Sequence, residues 1–213
     1  MVGKVFWVRK LKKDIKINLF ALTGFGNAVL KALLAFDVKI LKVYTRKEKG
    51  EFPYYKVENL SMLCKKRGIS VKFISANRNW SIENNADINL AATFHRILSA
   101  RHLRRAKVNI NIHPSLLPSY KGPTPTNWMV HNKSKVCGIT AHYLNANIDA
   151  GAIIYQKKYK LKSKTDNRLR KFLADKSVYA VMYIIKHYPN YYSIKSRYKE
   201  SYYPSYYKEI KQK

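Results

Sequence analysis

The chain has 213 residues and a hydrophobic fraction of 46%, enough for one domain with a substantial core. Its 42 Lys and Arg against 12 Asp and Glu give a net charge of +30, which reads either as a compositional bias or as a surface selected for polyanions. No apolar run reaches membrane-spanning length, and Cys64 and Cys137 stand far apart without a CxxC spacing, so no membrane span, metal site or disulfide is implied and a reducing, cytoplasmic setting fits.

Residues 1–13 carry basic residues without an apolar core and are not expected to act as a signal peptide. Ile15 to Leu22 reads as a strand, the turn Thr23-Gly24-Phe25-Gly26-Asn27 follows, and Ala28 to Phe36 reads as an apolar helix. Strand, Gly-rich turn and helix open a doubly wound α/β fold, and the N–H groups of Gly24 and Gly26 at a helix start offer an anion site. Val38 to Tyr44 is a second strand. Asn59 to Arg67 is a helix closed by Gly68, Ile69 to Ile74 a third strand, and Asp87 to Ala92 a fourth. This alternation predicts a mainly parallel sheet with right-handed crossovers.

The fourth strand runs into Phe94-His95-Arg96-Ile97-Leu98, at the end of a sheet strand where ligands bind in such folds. Val108 to Ile112 is the next strand. Its period of two places Asn111 and His113 on one face. His titrates nearest neutral pH and moves protons, whereas Asn donates an amide N–H to a developing oxyanion. That pair suits acyl or formyl transfer, and Asp149 is the natural third member. A strand-end His packed under a loop is the alternative reading.

Leu116 to Trp128 reads as a Pro/Gly-rich loop and Asn127 to Asn132 as a short helix over a cleft. A strand ends at Ala141 to Leu144. The loop Asn145 to Ile148 precedes Asp149, and Ala152 to Lys160 is a further strand. Asn167 to His187 is a long amphipathic helix that seals the core. From Tyr188 the apolar periodicity is lost. The expected organisation is therefore a catalytic domain over residues 1–187 and a basic Tyr/Lys-rich tail over 188–213, of which Ser201–Lys213 is expected to be dispensable for turnover of a small acceptor.

Asn111-x-His113-Pro114-Ser115-Leu116-Leu117-Pro118, Tyr120-Lys121-Gly122, Gly138-Ile139-Thr140-Ala141-His142 and Asp149-Ala150-Gly151-Ala152-Ile153 together resemble the signature of the folate-dependent formyltransferases, with the resemblance running from roughly Ile15 to Ile185. That family includes glycinamide ribonucleotide formyltransferase, the catalytic domain of methionyl-tRNA formyltransferase, and enzymes that formylate nucleotide-linked amino sugars. The resemblance implies a Rossmann-like α/β fold and transfer of a formyl group from 10-formyltetrahydrofolate to a primary amine, without metal. It implies that the amine adds to the formyl carbon to give a tetrahedral oxyanion. Asn111 would contact that oxyanion, His113 would stabilise it or take the amine proton, and Asp149 would orient His113 and relay protons. Phe94, His95, Arg96, Ile97 and Leu98 match the loop whose backbone binds the pteridine ring, and Asn145 to Ile148 matches the loop that closes over the folate. Gly24, Gly26, Ser115, Lys121, Gly122 and Trp128 would line the acceptor side.

Pro125-x-Asn127-Trp128 resembles the amino-sugar branch. The missing Ser after Gly-x-Gly counts against glycinamide ribonucleotide. The short tail is not expected to hold the C-terminal barrel of the tRNA enzymes. A nucleotide amino sugar is therefore the expected acceptor, with tRNA and glycinamide ribonucleotide as alternatives and a homodimer as a further expected partner state. A basic nucleic-acid-binding module whose chemistry has lapsed is the competing class, against which the intact Asn111, His113 and Asp149 argue.

Overall fold

The computed structural model describes residues 14–48, 50–75 and 80–205, so the expectations for residues 1–13 and for the end of the tail lie outside the described residues. The elements are β1 (Lys16–Ala21), α1 (Phe25–Ala35), β2 (Lys39–Thr45), α2 (Leu60–Lys66), β3 (Val71–Phe73), β4 (Ala86–Ala92), α3 (Ala100–Leu103), β5 (Ala106–His113), α4 (Pro125–His131), β6 (Val136–Tyr143), β7 (Ile153–Lys160) and α5 (Asp166–His187). They form a seven-stranded sheet in the order β3-β2-β1-β4-β5-β6-β7. The first five strands in that order are mutually parallel, β6 pairs antiparallel with β5, and β7 pairs antiparallel with β6.

Burial explains this layout. β4 is buried at every position, as befits a central parallel strand covered on both faces. α1 and α5 pack on each other over one face, against Ile17, Leu19, Ile88, Leu90, Ile110 and Ile112. The opposite face carries a smaller aromatic cluster, in which Phe20 stacks on Tyr44 and meets Phe94 edge-on.

Three amides cross this sheet at one level. Asn18, Asn89 and Asn109 stand opposite one another on β1, β4 and β5. Asn18 Nδ2 donates to Asn89 Oδ1 at 3.1 Å, and Asn89 Nδ2 donates to Asn109 Oδ1 at 2.8 Å. Asn109 Nδ2 then reaches the Leu103 carbonyl at 3.0 Å. Burying an amide without partners is costly, and the ladder supplies them to Asn89 and Asn109, leaving Asn18 Oδ1 as the one ladder atom without a partner among the described residues.

Two departures from the sequence reading have clear causes. α4 begins at Pro125, inside the stretch expected to be loop, because Pro at the first helical position lacks only an N–H that the first turn leaves unpaired anyway. The tail is folded onto the domain as far as it is described. Ile194 bridges antiparallel to Ile153, and Tyr202 bridges parallel to Lys121. Backbone pairing of this kind needs no apolar periodicity, so the sequence pattern is silent about it.

Candidate active site

β5 ends on His113, and its neighbour β6 decides what stands beside it. The antiparallel register sets His142 opposite Asn111 and Thr140 opposite His113. The β6–β7 connection then folds back over the strand ends. Gly151 makes this possible, since a Cβ there would lie 1.8 Å from the Tyr143 carbonyl oxygen. Asp149, at φ +48°, thereby enters the space between the two histidines.

The resulting cluster is compact. Asp149 Oδ2 lies 3.5 Å from His113 Nδ1 and accepts the Gly122 N–H at 2.9 Å. Asp149 Oδ1 lies 3.6 Å from His142 Nε2 and accepts from Asn111 Nδ2 at 3.3 Å. Asn111 Nδ2 also reaches His142 Nε2 at 3.1 Å, while His142 Nδ1 lies 2.9 Å from the Tyr143 carbonyl. That carbonyl only accepts, so His142 carries its proton on Nδ1 and receives the Asn111 N–H on Nε2. The same logic fixes His113. Its Nε2 lies 2.9 Å from the Tyr120 carbonyl, so Nε2 holds the proton and Nδ1 is left as the base, facing Asp149.

Burial pushes the His113 pKa down, opposed by Asp149 and by the Tyr120 carbonyl, so the ring is neutral near pH 7. Burial alone would raise Asp149. The adjoining His113 ring, the His142 contact and the Gly122 N–H outweigh it and hold the carboxyl well below its ordinary range. The site thus pairs a neutral base with a firm carboxylate.

The loop after β5 is pinned from beneath. Thr140 Oγ1 donates to the Ser115 carbonyl at 2.7 Å and accepts the Leu117 N–H at 3.2 Å. Gln156 Nε2 donates to the Leu117 carbonyl at 2.7 Å. Tyr120 follows at φ +59°, an uncommon conformation for an aromatic residue.

Asn111, His113 and Asp149 open onto a cleft of about 620 Å³. One lip is Phe94–Leu98 together with Leu144–Ile148, and the other is formed by Gly122–Thr126, Phe52, Tyr54, Tyr55, Arg170 and Tyr202. On the first lip, Ile97 is 71% exposed and Ile148 47% exposed. Among the described residues, the backbone groups of Phe94 to Leu98 have no hydrogen-bond partner in the fold. His95 Nε2 lies 3.2 Å from the Ile74 carbonyl, which ties the loop to β3's end, and burial lowers its pKa.

The structure therefore brings Asn111, His113, Asp149, Phe94 to Leu98, Asn145, Ile148 and Gly122 to one cleft. It does not bring Gly24, Gly26, Ser115, Lys121 or Trp128 to its walls. The Gly24 N–H is taken by Asn27 Oδ1 at 2.8 Å, the Gly26 N–H by the Leu22 carbonyl at 2.9 Å, and Phe52 covers Gly24. The glycine turn is closed by its own helix cap and offers neither N–H to an anion. Ser115 is fully buried and donates to the Ser119 carbonyl at 2.7 Å. Lys121 turns outward to Glu200 at 2.5 Å, and Trp128 is buried with Nε1 on the Pro204 carbonyl at 2.8 Å. Conversely, His142 belongs to the cluster without having been assigned a role. The signal was present, since a strand-end His two residues past Thr140 lies in the quoted motif. Only the register shows that it faces Asn111.

The formyl transferase family model matches residues 27–183. The chain is 31% identical over 181 residues to the bifunctional polymyxin resistance protein ArnA of Wigglesworthia glossinidia brevipalpis, covering 80% of this chain and 27% of that one. It is 27% identical over 167 residues to methionyl-tRNA formyltransferase of Bacteroides thetaiotaomicron, covering 73% and 50%. The match thus spans half or less of the length of these relatives. In three dimensions it resembles WlaRD, a sugar 3N-formyl transferase crystallised in the presence of dTDP and 5-N-formyl-THF, with a TM-score of 0.73 at 20% identity over 91% of this chain and 70% of that one. At that identity the likeness speaks for the fold.

Proposed function

This chain belongs to the formyl transferase family, and we propose that it moves a formyl group from 10-formyltetrahydrofolate to the primary amine of a nucleotide-linked amino sugar. The observation that carries this reading is the convergence of Asn111, His113 and Asp149 in the middle of the cleft.

The open lip fits the donor. Ile97 and Ile148 offer two exposed apolar side chains to a flat ring, and the backbone of Phe94 to Leu98, unpaired among the described residues, offers donors and acceptors to its edge. Bound there, the donor supplies a formyl carbon on a nitrogen that can depart. The chain's own residues do the rest. Neutral His113 takes the amine proton at Nδ1 while its Nε2–H stays on the Tyr120 carbonyl. Asp149, 3.5 Å away, stabilises the imidazolium that this creates and orients the ring. Asn111 has both N–H groups engaged, and the longer bond, to Asp149, is exchanged for the formyl oxygen as negative charge develops there. His142 holds the other N–H and so fixes the amide plane.

The other lip suits a nucleotide. Phe52, Tyr54 and Tyr55 provide stacking faces, and Arg170, paired with Asp166 and 4.2 Å over the Tyr54 ring, provides a guanidinium group. The likeness to WlaRD, a sugar 3N-formyl transferase crystallised in the presence of dTDP and a formyl folate, supports the same acceptor class. The test is a formyl-transfer assay against a panel of nucleotide amino sugars, charged initiator tRNA and glycinamide ribonucleotide. Preferential formylation of tRNA would move the chain to another branch, and transfer to no amine would favour a lapsed binding module.

A further inference from the structure

The segment Ser201–Pro204 touches every residue of Tyr120–Gly122, and that short stretch supplies backbone partners to both catalytic groups. The Tyr120 N–H donates to Ser201 Oγ at 2.9 Å. The Lys121 N–H donates to the Ser201 carbonyl at 2.9 Å, and Lys121's own carbonyl accepts the Tyr203 N–H at 3.0 Å. Ser201's N–H reaches the Pro118 carbonyl at 3.1 Å. At Gly122 the approach is so close that a Cβ would sit 2.1 Å from the Tyr203 carbonyl oxygen. The Tyr203 ring lies stacked between Tyr120 and Trp128, with centroids 5.1 and 5.0 Å away, and the Pro204 carbonyl accepts Trp128 Nε1–H at 2.8 Å.

On its other side, the same stretch presents the Tyr120 carbonyl to His113 Nε2 and the Gly122 N–H to Asp149 Oδ2. We propose that Ser201–Pro204 is a positioning strap of the active site, holding Tyr120 so that its carbonyl keeps the His113 proton on Nε2 and leaves Nδ1 free to act as base. Tyr120 at φ +59° is a conformation that the surrounding contacts must hold in place, and the strap supplies those contacts. A histidine in the wrong tautomer keeps its place and loses its chemistry. Because side chains alternate along an extended segment, Tyr203 points inward while Tyr202, 55% exposed, lines the cleft. Ser201 and Tyr203 act on the reaction through His113, and Tyr202 faces the acceptor.

The kinetic part of this inference rests on the proposed formyl transfer, whereas the tautomer part does not. The experiment uses the full chain with ¹⁵N-labelled histidine. The His113 signals are identified with His113→Ala, and its tautomer is read by NMR without substrate. Wild type and Tyr203→Phe, which keeps the stacked ring, should show Nε2–H. Tyr203→Ala should show a mixture of tautomers. Its kcat for whichever amine the wild type formylates should fall on the order of 10- to 100-fold, with donor KM within about twofold of wild type and the loss rescued by Phe. If Tyr203→Ala does not fold, Ser201→Ala carries the test through the lost Tyr120 N–H bond. An unmoved His113 tautomer in whichever variant is folded overturns the strap. A wild type that formylates no amine overturns the proposed function and leaves the tautomer result to decide the strap.

Discussion

Two loops that meet at the cleft, each following a sheet strand, are finished differently. On Phe94–Leu98 the backbone is unpaired among the described residues, and the large apolar side chain of Ile97 faces outward. On Tyr120–Gly122 nearly every backbone group is engaged, by the catalytic side chains on one side and by the tail on the other. An unpaired loop can trade water for a ligand at little cost, so it suits a molecule that enters and leaves on each turnover. A paired loop cannot move without disturbing what it holds, so it suits groups whose geometry must persist. Binding and chemistry are therefore separated across a single cleft.

The sharpest way to break this separation is at its chemical centre. His113→Ala should lower kcat by about 10²- to 10⁴-fold while the donor dissociation constant stays close to wild type, measured by steady-state kinetics and by calorimetry. A parallel loss of donor affinity would mean that the two lips act as one.

The next largest effect belongs to the open lip. Ile97→Pro removes a backbone N–H and fixes φ, so donor affinity should fall by roughly tenfold or more with the fold retained. His95→Ala deletes a side chain whose Nε2 faces the Ile74 carbonyl rather than a ligand, so it should change affinity only a few-fold. Titration of both variants with a folate analogue decides the point, and the reverse order would assign the contact to the imidazole.

The smallest effect is on stability. The folded His113 pKa lies below its ordinary 6.5, so once pH falls below that value the unfolded chain binds more protons than the folded one. Stability is thus lost as pH falls from about 6.5 toward the folded pKa, with a slope of at most ~1.4 kcal/mol per pH unit from this one group. Asp149 behaves as a depressed carboxyl. Its contribution is present above its ordinary 3.8 and is lost as pH falls further. His113→Gln should therefore flatten the thermal-melting profile just below pH 6.5. An unchanged profile would mean that the ring binds its proton equally well in the folded and unfolded chain.

Much of this arrangement was legible in the chain. The parallel half of the sheet follows from apolar strands alternating with apolar helices, and Asn111 and His113 share a face by strand period alone. What escaped the reading depends on partners distant in sequence. His142 takes its meaning from the register of β6 against β5. The closed glycine turn depends on Asn27 capping Gly24, where a Gly-x-Gly pattern suggests an open nest. The tail looked dispensable because its sequence has no periodicity, yet it pairs through backbone groups that every sequence possesses. Removing Ser201 to Lys213 is accordingly expected to impair turnover, contrary to the reading from sequence alone.

The amide ladder across β1, β4 and β5 works as a ruler for the active site. Asn109, Asn111 and His113 lie at i, i+2 and i+4 on one strand, so the reactive groups stand about 7 and 13 Å beyond a fixed mark at roughly 3.3 Å per residue. Apolar neighbours tolerate small sliding, but a chain of directional bonds between amides does not. A slip of one residue between β4 and β5 would strand buried amides and turn His113 to the opposite face. The height at which the imidazole meets Asp149 is thus set more than ten ångströms away, by residues that never approach a substrate.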